Sequence, residues 1–207
     1  MAADGPGATA HVSGWTVGAG RPRRRLEPTR ADGVLDQRLQ RVHHPARHDH
    51  YPLRSIRSIG GLFSGSVFGR RFVPLGPAGS LLSLDDIEHR RLRPEFRDAR
   101  IHLALVCAST SCPVLEPEAY RAAALDAQLD GAARRFLADS TRNRYDAAAN
   151  VLWVSAIFDW FREDFERNAE TLEAYLARHL PSHLTSVVSA RRPRLRFLSY
   201  DWSLNQR

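Results

Sequence analysis

The chain contains no lysine, and cysteine is nearly as scarce, since it occurs only at Cys107 and Cys112. Two cysteines cannot build the disulfide framework of a small secreted scaffold, although they could form one short bridge. No apolar run approaches the roughly 20 residues of a membrane-spanning helix, so no transmembrane segment is predicted. The N-terminus also lacks the apolar block of a secretory signal, and the default expectation for the localisation is therefore cytoplasmic.

All 30 basic residues are arginines, and the formal net charge is +7. A positive balance is typical of nucleic-acid binding, but here the excess is uneven. Residues 1–54 hold nine arginines against five acidic residues, while the remainder interleaves both signs as a solvated surface does. No specific nucleic-acid partner is therefore expected. No glycine-rich phosphate loop follows a candidate strand either, so we expect no nucleotide cofactor and neither a kinase nor a dehydrogenase.

Residues 1–47 differ in composition from the rest of the chain. They carry clusters of Gly, Pro and Arg and show neither helical nor strand periodicity, which predicts a disordered basic tail. Pro45 interrupts a histidine-rich piece at residues 42–48, so we expect no native metal site there. Residues 48–207 read as one domain, and a hydrophobic content of 43% is sufficient for its core.

From residue 48 onward the patterns of strands and helices interleave. This predicts an α+β (mixed α/β) domain with a small sheet packed by several helices. The strand candidates are residues 101–106, 151–154 and 194–198, with a hairpin at 68–82. The helix candidates are a short helix that Ser83 caps and that ends before Pro94, and residues 117–138, 157–165 and 170–180.

The run at residues 101–106 leads directly into the segment Cys107-Ala-Ser-Thr-Ser-Cys112-Pro. The end of a buried strand is where α/β folds commonly place reactive side chains. A nucleophilic cysteine needs a nearby base to form its thiolate, and usually a third group to orient that base. The candidate nucleophiles are Cys107, which we favour, and Cys112. The candidate base is His89, and the candidate orienting carboxylates are Glu88, Asp86 and Asp201.

Other interpretations of these residues remain open. Cys107 could be a small buried residue that closes a strand, and buried thiols are usually inert. A disulfide between the two cysteines would exclude thiol chemistry while it exists, and their spacing of five does not suit a structural zinc. His102 alternates with apolar neighbours and is interpreted as structural. The carboxylates of Glu163, Asp164 and Glu166 are expected to face solvent, and the aromatic row 158–165 to be core.

Several segments, in this order and spacing, resemble the domain-of-unknown-function 547 family over about residues 48–207. They are His50-Tyr-Pro-Leu-Arg-Ser-Ile56, Ser83-Leu-Asp-Asp-Ile-Glu-His89, Leu105-Val-Cys-Ala-Ser-Thr-Ser-Cys-Pro113, Leu125-Asp-Ala-Gln-Leu129, Ile157-Phe-Asp-Trp-Phe-Arg-Glu-Asp-Phe165 and Tyr200-Asp-Trp-Ser-Leu-Asn205. The resemblance implies stand-alone or exported domains among bacterial relatives and interaction proteins among plant relatives. A likeness of such domains to papain-like or transglutaminase-like thiol enzymes is analogy only.

The chain departs from the family pattern upstream of His50. Relatives have an aromatic-rich helix of the type Phe-Trp-Ile-Asn-Ala-Tyr-Asn-Ala, where this chain has Leu35-Asp-Gln-Arg-Leu-Gln-Arg41. Codons for Leu-Asp-Gln-Arg-Leu-Gln, read one base later, can spell Trp-Ile-Asn-Ala-Tyr-Asn. We therefore predict that residues 1 to about 48 are translated out of frame. Resequencing the locus should reveal a lost or gained base near the His50 codon, and an intact frame there would refute the prediction.

The leading functional hypothesis is a thiol-dependent hydrolase or acyl transferase that uses a Cys–His pair and needs no cofactor. Its substrate would be a small molecule or a peptide that the sequence does not specify. The alternatives are a non-enzymatic protein-interaction or ligand-binding module, and a truncated, inactive gene product. The sequence does not determine the oligomeric state.

Overall fold

The computed structural model of the protein describes residues 52–59 and 66–205. The predicted tail at residues 1–47, the boundary at residue 48 and the predicted change of reading frame lie outside the described residues and stay predictions. Within the described part a three-stranded sheet is accompanied by a larger number of helices, which confirms the α+β class.

The sheet consists of β1 (Arg144–Asp146), β2 (Val151–Val154) and β3 (Arg194–Phe197), in that order. β1 and β2 are antiparallel and joined by a tight turn, whereas β2 and β3 are parallel. A parallel pair needs a long crossover, which helices supply here. The strands predicted at residues 151–154 and 194–198 are therefore confirmed.

The α-helices lie before β1 and between β2 and β3. α1 (Leu84–Ile87) continues through the π-helical turn Glu88–Leu92 into α2 (Arg93–Phe96), and α3 (Leu125–Ala138) follows. The crossover from β2 to β3 contains α4 (Ile157–Trp160), α5 (Arg162–Ala169), α6 (Leu172–His179) and α7 (Ser182–Arg191). The sequence pattern does not predict α7.

The main core lies between the crossover helices, α3 and the central strand β2. Leu152 and Val154 of β2 are fully buried and pack in one cluster with Phe158 and Phe165. The core assignment of the aromatic row holds for these two phenylalanines, but Trp160 keeps 49% of its surface exposed. The apolar face predicted for α3 is confirmed, since its members are all buried: Leu125, Leu129, Ala132, Phe136 and Leu137.

The prediction of a strand at residues 101–106 is wrong. Ala99–Leu103 form a 3-10 helix, which Asp98 caps by accepting a hydrogen bond from the backbone N–H of Arg100. Short apolar runs cannot be assigned to strand or helix from periodicity alone, because both conformations bury them. The cysteine segment therefore follows a helical turn and not the end of a strand.

Two further expectations were also wrong in part. The hairpin at 68–82 is reduced to a single bridge between Val73 and Leu82. Ser83 caps α1 as predicted, but the helix does not end before Pro94. It widens into the π turn, where the N–H of Arg93 bonds to the carbonyl of Glu88, and Pro94 then falls in the first turn of α2, where its missing N–H costs little.

Candidate active site

A cavity of about 380 Å³ lies beside the cysteine segment, and we name it the thiol cavity. Its walls come from α1 and the π turn, from the cysteine segment, from α4 and from the C-terminal residues 200–205. The side chains that matter for its chemistry are Asp85, Glu88, His102, Cys107, Cys112, Tyr120, Trp160, Phe161, Tyr200 and Trp202. Most of the remaining lining residues are apolar.

The cysteine segment is held in place by the C-terminal residues. The N–H of Thr110 donates to the carbonyl of Ser203 at 2.8 Å, and the N–H of Asn205 donates to the carbonyl of Ala108 at 2.8 Å. Ala108 has a φ of 61°, a left-handed conformation that costs free energy for a residue with a Cβ. These hydrogen bonds therefore hold a strained turn between the two cysteines.

Asp201 takes part in the same arrangement, but through its backbone. Its N–H donates to the Ser111 hydroxyl at 2.9 Å, and its carbonyl accepts from the Ser111 N–H. Its carboxylate accepts from the N–H of Ser203, and this hydrogen bonding holds the pKa of Asp201 below its usual value. The backbone of Asp201 therefore holds the cysteine segment in place, and its exposed carboxylate is hydrogen-bonded to Ser203.

Cys107 and Cys112 are free thiols in different environments. Cys112 is 2% exposed, and burial raises the pKa of its thiol well above the usual value. The sulfur of Cys107 lies 3.1 Å from the Ser109 hydroxyl oxygen and 3.3 Å from the Tyr200 hydroxyl oxygen. Hydrogen bonds from the Cys112 thiol first, and then from Ser109 and Tyr200, lower the pKa of Cys107 to about 6.

The hydroxyl groups around Cys107 form a directed chain. The Ser109 hydroxyl donates to the Tyr200 oxygen at 2.9 Å, so the Tyr200 proton remains available for the sulfur of Cys107, and Ser109 itself donates to that sulfur through its backbone N–H. Burial raises the pKa of Tyr200, which keeps its hydroxyl protonated and therefore a donor. A chain of donors that ends on sulfur stabilises the thiolate over the thiol. These surroundings favour the thiolate at Cys107 and the protonated thiol at Cys112.

His102 lines the thiol cavity and is 4% exposed. Its ring stacks on Phe161 with the centroids 3.7 Å apart, and its Nε2 lies 2.8 Å from Oδ2 of Asp164. Arg93 and Arg167 donate to the two oxygens of Asp164 at 2.7 and 2.9 Å. Burial opposes the charge of Asp164, but the hydrogen bonds from Arg93 and His102 outweigh it and lower the pKa to about 2.

The ionised state of Asp164 determines the tautomer of His102. A carboxylate can only accept hydrogen bonds, so Nε2 of His102 must carry the proton and Nδ1 of the neutral ring carries the lone pair. Nδ1 lies 3.3 Å from Oε1 of Glu88 but makes no hydrogen bond to any described residue. An imidazole held in this way can accept a proton at Nδ1, and Glu88 would stabilise the resulting positive charge.

The structure brings together some of the residues predicted from the sequence and separates others. Cys107, Cys112 and Glu88 all line the thiol cavity. His89 is exposed, lies 3.2 Å from a guanidinium nitrogen of Arg93, and lines a second cleft that also contains Arg97, Asp164 and Arg167. Asp86 accepts from the backbone of Ser83 and pairs with Arg71 and Arg90, so its carboxylate caps α1.

Sequence reasoning missed His102 and Asp164. His102 was interpreted as structural, and Asp164 was expected to face solvent, yet Asp164 is 6% exposed. A signal for Asp164 did exist, because it lies three residues after Phe161 and directly before Phe165, on the apolar face of the helix. An acidic residue on a buried face requires a partner of opposite charge or a hydrogen-bond donor.

Comparisons with known proteins show a similarity to one family and indicate no activity. A family model described as "Protein of unknown function, DUF547" matches residues 65–137, which include α1, the π turn, the cysteine segment and most of α3. No curated protein and no solved structure matches the chain. Among the residues that the structure describes, no helix combines the length and apolar character needed to cross a membrane.

Proposed function

We propose, from the site that residues 65–137 help to build, that the protein is a thiol-dependent acyl transferase or hydrolase. Over these residues the chain is similar to the family of proteins of unknown function DUF547. One observation carries the proposal. A cysteine whose thiolate is stabilised lines the same cavity as an imidazole that a carboxylate orients and whose second nitrogen is unpaired. Nucleophile, base and orienting group are the three parts of covalent acyl catalysis.

In the proposed reaction Nδ1 of His102 takes the proton of the Cys107 thiol, and the resulting Cys107 thiolate attacks the carbonyl carbon of an ester, thioester or amide. A C–S bond forms and the carbonyl π electrons move to oxygen. The adduct then restores its C=O bond and expels the leaving group, which takes a proton from Nδ1 of the His102 imidazolium. Water or another acceptor attacks the acyl-cysteine, gives its proton back to Nδ1 of His102, and releases the acyl product together with the Cys107 thiolate.

His102 is the base in this proposal because it lines the thiol cavity, and Asp164 is its orienting group. His89 remains the alternative base, as the sequence pattern suggested. Cys112 acts as the donor that stabilises the Cys107 thiolate, and Cys112 is also the alternative nucleophile. Glu88 lies against Nδ1 of His102, where it would stabilise the imidazolium, and Asp201 would position the loop.

Alkylation of Cys107 tests the proposal directly. We expect the rate of reaction with iodoacetamide to rise with pH around a midpoint near 6, whereas an ordinary thiol has its midpoint near ~8.5. A thiolate of low pKa is also a weaker nucleophile, so the midpoint is the informative quantity and the absolute rate is not. Peptide mapping by mass spectrometry assigns the modified cysteine.

Two variants sharpen this measurement. Cys112→Ser removes the second thiol but keeps a hydrogen-bond donor, so the midpoint should stay well below 8. Tyr200→Phe removes a donor to the sulfur, and the midpoint should move upward by about one unit. Two results together would contradict the enzymatic proposal and favour a non-enzymatic binding module. They are an alkylation midpoint above pH 8 in the unmodified protein, and no acyl adduct on Cys107 after treatment with p-nitrophenyl acetate.

A further inference from the structure

The thiol cavity has an unusual charge for this chain. The protein carries 30 arginines and a net charge of +7, yet no described residue that lines the cavity is an arginine. The ionisable side chains on its walls, apart from the cysteines and tyrosines, are Asp85, Glu88 and His102. With the Cys107 thiolate, the cavity is therefore negative inside a positive protein, and it would repel carboxylate and phosphate ligands.

The carboxylates at the cavity are not neutralised in the way that others in the protein are. Asp86 pairs with two arginines and Asp164 with two more. Among residues 52–59 and 66–205, in contrast, no arginine forms an ion pair with Asp85 or Glu88, and Glu88 lies against the imidazole of His102. Partial burial raises the pKa of Asp85, while the nearby His89 acts in the opposite direction. A cation in the cavity would further stabilise the charged carboxylate.

Aromatic rings form one wall beside these carboxylates. Trp160, Tyr200 and Trp202 have ring centroids 4.6 to 5.8 Å from one another, and all three line the cavity. The faces of such rings attract cations, most strongly when water is excluded. These rings already accept one, since the guanidinium of Arg57, which does not line the cavity, lies 4.9 Å from the centroid of Trp202.

Two residues that line the cavity also have a buried polar atom that makes no hydrogen bond to any described residue. The atoms are Nδ1 of His102, which lies 3.3 Å from Oε1 of Glu88, and the hydroxyl of Tyr120, a residue that is only 7% exposed. Buried polar groups without a hydrogen bond are costly, and they are usually satisfied by a ligand or by water. The cavity thus offers hydrogen-bonding groups as well as negative charge and aromatic faces.

We propose that the thiol cavity binds a ligand carrying an alkylammonium group, with the ammonium near Asp85 and Glu88 and its alkyl part against the aromatic wall. Carboxylates and ring faces together are a known solution for ammonium recognition, because both offer negative potential while the rings also bury the alkyl group. Binding of this kind does not depend on any reaction. Under the proposed function, on which this one step rests, the same preference would select cationic acyl substrates over anionic ones.

Calorimetric titration at constant ionic strength tests the inference on the full chain carrying both Cys107→Ser and Cys112→Ser, which removes both thiols of the chain. The probes are n-butylammonium chloride, its neutral analogue butan-1-ol and its anionic analogue sodium butyrate. We expect butylammonium to bind at least tenfold more tightly than butan-1-ol, and butyrate to show no binding. Equal affinities of butylammonium and butan-1-ol, or no binding of butylammonium, would overturn the inference.

Charge variants locate the binding site. Glu88→Gln and Asp85→Asn should each weaken butylammonium binding at least fivefold and leave butan-1-ol binding unchanged. Glu95→Gln makes the same change of charge on α2, outside the cavity, and should alter neither affinity. If Glu95→Gln weakens binding as much as Glu88→Gln does, the effect is long-range and the inference fails. Since these titrations use a thiol-free protein, their outcome is separate from the alkylation result that tests the proposed reaction.

Discussion

Replacing Asp164 by Asn is expected to lower the turnover of an acyl substrate by about 10³- to 10⁴-fold, if the proposed reaction is correct. The carboxylate of Asp164 holds Nε2 of His102 as a donor and so leaves the lone pair on Nδ1. An amide could present its NH₂ group to Nε2 and thereby reverse the tautomer. It would also remove the negative charge that stabilises the imidazolium, which forms when His102 accepts a proton.

The measurement separates turnover from thiol reactivity. Steady-state hydrolysis of p-nitrophenyl acetate gives the turnover, and the pH midpoint of alkylation reports the Cys107 thiolate. The midpoint should remain near 6 in Asp164→Asn, because Cys112, Ser109 and Tyr200 stabilise the thiolate independently of Asp164. An unchanged midpoint also demonstrates that the variant is folded around the cysteine segment.

Matched variants identify the base. Glu163→Gln makes the same change of charge at the exposed neighbouring position and should keep full turnover. His102→Gln should lose turnover as Asp164→Asn does, whereas His89→Gln should stay within threefold of the unmodified protein. The opposite result for the two histidines would assign the base to His89, and turnover by Asp164→Asn within threefold would remove Asp164 from the mechanism.

The fold was predictable from sequence wherever the pattern was local. The apolar run Val151-Leu-Trp-Val154 predicts β2, and Ser83 followed by Asp86 predicts the cap of α1. The spacing of apolar residues predicts the buried face of α3. The prediction for residues 101–106 failed because the contacts that determine their conformation are made with residues distant in the sequence. Arg100 is buried against Asp126 and Asp130 of α3, and that contact holds the segment as a helical turn.

The candidate site was predictable in part, for the same reason. Both cysteines stand out as the only thiols of the chain, and Glu88 was named as well. The partnership of His102 with Asp164 spans 62 residues, and no spacing rule relates positions so far apart. The lowered pKa of Cys107 likewise depends on Tyr200, which is 93 residues away and reaches the sulfur only after the C-terminal residues pack on the cysteine segment.

Replacing Arg100 by Ala is expected to destabilise the protein by about 3–5 kcal/mol at pH 7. The Arg100 side chain is buried and bonds to three carboxylates at 2.6 to 2.7 Å: those of Asp98, Asp126 and Asp130. Its removal leaves these carboxylates close together with no arginine between them. It also removes a hydrogen bond from the 3-10 helix before the cysteine segment to the backbone of α3. Urea unfolding followed by circular dichroism measures the difference in free energy.

The pH dependence of this loss distinguishes uncompensated charge from lost packing. Protonating the carboxylates relieves their mutual repulsion, so the difference between the variant and the unmodified protein should shrink as the pH falls towards about 4. Combining Arg100→Ala with Asp98→Asn and Asp130→Asn should recover part of the loss at pH 7, because fewer negative charges then lie close to one another. Arg134→Ala, an exposed arginine on α3, should change stability by less than about 0.5 kcal/mol. A penalty for Arg100→Ala that is the same at pH 7 and pH 4 would show that packing of the side chain, and not its charge, holds the cysteine segment against α3.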